Sequence, residues 1–208
     1  MLITPVPPVA SATAFSTGLP MFLSGAPGIV KENYLGANPR VPTFAQVSGG
    51  AATPQPVFQL SLNEAANNTG TINPPSAGWR FFIGHGVTET VLGRVVQVPP
   101  SNTWKLTGVF YGERVSAALV ASQDLVHLPD VATNDYELRL LAIPGLNLEV
   151  FWLVAQSAGA VDLIIPFPAT QHVIPMPPSL NAYSIVTFLA LIRPLAGSLL
   201  TMPAGYGA

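Results

Sequence analysis

The chain has no cysteine and little charge: eight lysines and arginines and ten aspartates and glutamates are all that 208 residues carry. Without cysteine there is no disulfide framework, no thiolate nucleophile and no cysteine-based metal site, a usage that fits a reducing compartment. The cations Lys31, Lys105, Arg40, Arg80, Arg94, Arg114, Arg139 and Arg193 stand singly along the chain. The clustered cationic footprint that neutralises a phosphate backbone is therefore missing, and nucleic acid is not expected as a partner.

Catalytic signatures are equally scarce. The histidines His85, His127 and His172 show no His-x-His, His-x-x-x-His or His-Glu-x-x-His spacing, so no local pair is set up to hold a metal. Neither Gly-x-Ser-x-Gly nor a glycine-rich phosphate cradle occurs, which disfavours acyl transfer and nucleotide chemistry. Asp130 and Asp135 bracket a short loop, and Glu137 and Glu149 could face one another across a hairpin, but solvation of a strand surface explains all four. The expectation is no catalytic residue, no metal site and no cofactor. An enzyme would need a site built around His85, which sits between Gly84 and Gly86, or around His172 in a proline-punctuated loop. For His85 a turn role, and for His127 a helix-end role against the dipole, are the simpler readings.

Long hydrophobic runs are missing too. The most apolar window, residues 182–202, is broken by Arg193-Pro194 and Gly197-Ser198, where charge and helix-breaking residues are costly in a bilayer, so no transmembrane span is expected. The start lacks a basic n-region and is interrupted by Pro7, Pro8, Pro20 and Pro27. No signal peptide is expected, and cytoplasmic synthesis and assembly are favoured.

What the chain does have is apolar material and proline. Hydrophobic residues make up 49%, with 22 prolines and 18 glycines, enough apolar surface to offset the ordering entropy and exclude disorder. The first 56 residues hold nine of the prolines and only three charges. Proline fixes φ in the extended range, so residues 1–56 are predicted to form an extended apolar arm. A β-rich domain is predicted over 57–194 and a small-residue tail over 195–208.

Within that domain, period-two patterns predict strands at 57–62, 79–83, 91–98, 103–111, 136–143, 146–155 and 161–165. Val115, Ala118, Leu119, Ser122, Leu125 and Val126 recur at helical spacing, predicting a helix over 113–127. A second helix is predicted to begin near Ser179 or Asn181 and to end at Pro194. The fold class expected is α+β, mostly antiparallel β with two short helices, plus an extended proline-rich N-terminal arm. Trp79, Phe81, Phe82, Phe151 and Trp152 are expected to form its core rather than a pocket.

The shortage of charge is itself a functional clue. Charged residues are 9% of the chain and the net charge is −2, whereas soluble monomers carry about 25–35% on their surfaces. Protein interfaces are depleted in Lys, Glu and Asp. The leading expectation is a structural, self-assembling subunit of a shell, sheath or filament whose arm contacts neighbouring copies. The candidate interface is Phe15, Leu19, Met21, Phe22, Leu23, Ile29, Tyr34 and Phe44, with Leu199, Leu200 and Met202 from the tail. An accessory domain docking on one dissimilar protein is the alternative.

Overall fold

A computed structural model describes residues 1–24, 30–33, 52–84, 90–167 and 181–201. Among these residues ten strands join one mixed sheet: β1 Leu2–Ile3, β2 Val30–Asn33, β3 Thr53–Gln59, β4 Ser76–Ile83, β5 Val91–Val98, β6 Thr103–Tyr111, β7 Tyr136–Ile143, β8 Leu148–Ala155, β9 Leu163–Pro166 and β10 Tyr183–Ser184. Nine follow the order β10-β9-β8-β7-β3-β4-β5-β6-β2, and β1 pairs with β7 off this path. The pairs β1–β7, β3–β7 and β2–β6 are parallel and the others antiparallel. Five α-helices lie among the described residues: α1 Val9–Leu23, α2 Leu62–Asn67, α3 Glu113–Asp124, α4 Pro129–Thr133 and α5 Ile185–Thr201.

This corrects the expected fold class. Three of the helices are long, the sheet is mixed, and the molecule is an α/β assembly rather than a mostly antiparallel fold with two short helices. The extended arm is corrected with it, because 15 of its residues form α1. Proline marks the ends of α1 rather than preventing it: Pro8 is the N-cap and Pro20 lies in the last turn. Along the helix Ser11, Phe15, Leu19 and Phe22 are buried, and that inward stripe supplies the packing from which most helix stability comes.

Alternation sorts the strand side chains onto two covered faces. On one, Val57, Phe82, Leu92, Phe110, Leu138, Leu140, Phe151, Leu153, Leu163 and Ile165 pack against Val115, Ala118 and Ala121 of α3. On the opposite face two helical clusters share the sheet. Phe15, Leu19 and Phe22 of α1 cover Trp79, Phe81, Ile83, Val91, Val95 and Val109. Ile185, Phe188, Leu189, Ile192 and Ala196 of α5, with Ala65 of α2, cover Leu141, Ile143, Leu148, Val150 and Trp152. The result is helix, sheet and helix in three layers.

Two local corrections follow from capping and packing. The stretch after Gln59 turns into α2 instead of continuing as strand, because Ser61 accepts from the Glu64 N–H while the Glu64 carboxylate accepts from the Ser61 N–H at 2.9 Å. That reciprocal pair is a capping box, and its Ser-x-x-Glu signal stands in the sequence. The last helix starts at Ile185 behind Ser184, whose Oγ accepts from the Thr187 N–H at 3.2 Å. It runs through Pro194 to Thr201, with Ile192 and Ala196 buried on either side of the proline. Burial on both flanks outweighs the backbone hydrogen bond that the proline removes, about 3 kcal/mol in an unsupported helix.

Candidate functional site

The polar groups that gather in this apolar molecule do so on the α3 face, at the end of the sheet where β3, β7 and β8 meet the Pro144–Leu146 turn. Arg80 on β4 makes a bidentate ion pair with Glu149 on β8. In the sheet order β3 and β7 lie between these strands, so the pair bridges across both. Ala77 and Ala142 line the space there with Val57, and their small side chains leave it open. The Arg80 side chain is 7% exposed and that of Glu149 30%, so one end of the pair is desolvated and the other reaches water. Removing one partner of so buried a pair costs far more than the pair itself contributes.

Register adds a second cation. Arg80 stands directly opposite Arg94 on β5 and opposite Gln55 on β3, giving a polar row of amide, guanidinium and guanidinium across three neighbouring strands. Gln55 is fully buried, and neither its Nε2 nor its Oε1 has a hydrogen-bond partner. Arg94 is exposed, and among the described residues no ion pair engages it. Like charges directly opposed on a sheet repel. The cleft lined by Arg80, Arg94 and Glu149 has a volume of about 210 Å³, and Gln59, Asn147, Pro144 and Leu148 complete its wall. Asn147 ends the Pro144–Leu146 turn in the left-handed region, with φ 48°, a conformation asparagine tolerates better than most residues.

A second polar group lies on the opposite face. Arg139 Nε donates to Glu137 at 2.6 Å, and its guanidinium stands 4.7 Å from the Phe58 ring and 5.1 Å from the Trp152 ring. Trp152 Nε1 donates to Asp162 at 3.0 Å, whose other oxygen accepts from the Ala155 N–H. Every charged group here is matched within the chain, so this cluster fastens β7, β8 and the turn before β9 together. Glu137 and Glu149 therefore serve opposite faces, each with its own arginine, and do not face one another as a carboxylate pair.

The predicted interface residues divide. Phe15, Leu19 and Phe22 are buried within the chain's own core, Phe15 stacked on Phe81 at 4.8 Å between centroids. Leu23 and Leu199 are half-buried, while Met21 and Leu200 are exposed. Ile29, Tyr34, Phe44 and Met202 lie outside the described residues, as do His85 and His172. His127 is exposed at the end of a short 3-10 turn. Trp79, Phe81, Phe82, Phe151 and Trp152 are all core. Among the described residues no group of three or more metal-ligating side chains occurs, and no helix is long and apolar enough to cross a membrane.

The cleft was not foreseen. Its cations were visible singly, but only the β4–β5 register places Arg80 beside Arg94, and Glu149 comes from 69 residues further along the chain. Comparison of the chain with protein-family models, with curated proteins and with solved structures gives no match.

Proposed function

We propose that the protein is a structural, self-assembling subunit whose α1 and α5 surfaces are covered by further copies of the chain. One observation carries this reading: the outward sides of the two longest helices among the described residues have almost no charge. Helix α1 contains no charged residue, and α5 contains Arg193 alone, whose Nη2 donates to the backbone oxygen of Asn68 at 3.0 Å. A helix whose outer side meets water ordinarily carries charged or polar residues there, and on α1 the exposed hydroxyls of Thr13, Ser16 and Thr17 donate to its own backbone. Here Val9, Met21, Val186, Leu191 and Leu200 are exposed instead, between 45% and 83%.

Both helices cover the same face of the sheet, so the charge-poor surface is collected on one side of the molecule. A lipid surface is a poorer fit, since helices that lie on membranes carry Lys and Arg on their polar side. Burial of Phe15, Leu19 and Phe22 inside the chain shifts the assembly role of the N-terminal segment from its inner stripe to its outer one.

Negative-stain microscopy of the purified full chain tests the proposal, with regular particles, sheets or filaments expected. Leu191→Glu places a charge at an exposed position and is expected to disperse them while leaving the circular dichroism spectrum unchanged. Dispersed single molecules in the unmodified protein would refute the proposal, and a soluble one-to-one complex with a dissimilar protein would favour the docking alternative.

A further inference from the structure

We propose that the cleft between Arg94, Asn147 and Glu149 binds a short aliphatic monocarboxylate, a role independent of assembly. The chain holds only eight cationic side chains, yet two of them are set directly opposite one another on β4 and β5. Glu149 answers Arg80. Arg94 is answered by no carboxylate among the described residues, so the charged side chains that line the cleft are two arginines and one glutamate.

A guanidinium presents parallel N–H donors that match the two oxygens of a carboxylate. Gln59 and Asn147, both exposed, add amide donors to the wall of the same cleft. The remaining wall is aliphatic, from Val57, Ala77, Ala142 and Leu148, and suits a hydrocarbon chain. The fixed carboxylate of Glu149 repels a second negative charge, so a monoanion is preferred to a phosphate dianion. At about 210 Å³ the space is smaller than the roughly 300–1,000 Å³ typical of pockets for larger ligands, which limits the chain to a few carbons.

Equilibrium dialysis of the full-length protein against radiolabelled butyrate at constant ionic strength tests this, and it reads the same whether or not the protein assembles. Saturable binding of one butyrate per chain is expected, displaced by unlabelled butyrate and at least tenfold less well by inorganic phosphate. Arg94→Gln is expected to weaken binding at least tenfold, and Arg94→Lys, which keeps the charge but loses the fork, by less. Binding that fails to saturate, that phosphate displaces equally well, or that survives unchanged in Arg94→Gln overturns the proposal.

Discussion

Helices α1 and α5 lie on the same face of one sheet, each contains a proline, and each shows water an almost uncharged surface, yet they are held differently. Helix α5 rests on α2 and on strands β7 and β8, with five buried residues from Ile185 to Ala196. Helix α1 rests on the far half of the sheet through three large side chains. Its fit depends on a missing side chain beneath it: a Cβ on Gly93 of β5 would stand 2.4 Å from the Phe15 ring. The difference teaches that a proline-rich segment adopts a helix when its partner surface is shaped to receive it, and that such a helix is easier to detach than one that also packs on a second helix.

The largest effect is expected beneath α5. Phe188 is fully buried, and Phe188→Ala should lower stability by about 3–5 kcal/mol in urea denaturation, through lost burial and the cavity left behind. Gly93→Ala forces the Phe15 ring away and should cost about 1–3 kcal/mol, the usual range for overpacking. Hydrogen exchange sharpens the contrast: in Gly93→Ala the amides of α1 should lose protection while those of α5 keep it. Equal loss in both would mean that the two helices open as one unit.

The smallest effect belongs to α2, the support under α5. Ser61→Ala removes the capping box and should cost about 1 kcal/mol. Hydrogen bonds from the Ser61 side chain, then its backbone N–H, hold the Glu64 carboxyl below its ordinary pKa. A carboxyl with a lowered pKa in the folded state stabilises fully above its unfolded pKa, and that contribution disappears as pH falls through the lowered value. The difference in stability between the native chain and Ser61→Ala should therefore be full at neutral pH and shrink on acidification. A difference that stays constant with pH would show that Glu64 contributes nothing as an anion.

The same contrast explains what was legible in the sequence. The predicted bounds of β5, β6 and β7 are those observed, and those of β4 and β8 differ by at most three residues, because period-two patterning acts over neighbours in the chain. Helix α3 was readable for the equivalent reason. Helix α1 was not, since its buried residues Ser11, Phe15, Leu19 and Phe22 are interrupted by small residues and by Pro20, with Pro8 just ahead of them, and its partner strands lie some 60 to 90 residues further on. Helix α2 was missed although Ser61 and Glu64 announced it. Pro194 was read as a stop because local rules omit the burial on both its flanks. The cleft needed register between distant strands, which a single sequence does not state.

Light scattering coupled to size-exclusion chromatography, applied to the full chain at micromolar concentration, tests the proposed assembly most directly. Scattering masses at several multiples of 21.8 kDa, falling toward one chain in Leu191→Glu, are the predicted result. A single species of one chain's mass in the unmodified protein would contradict it.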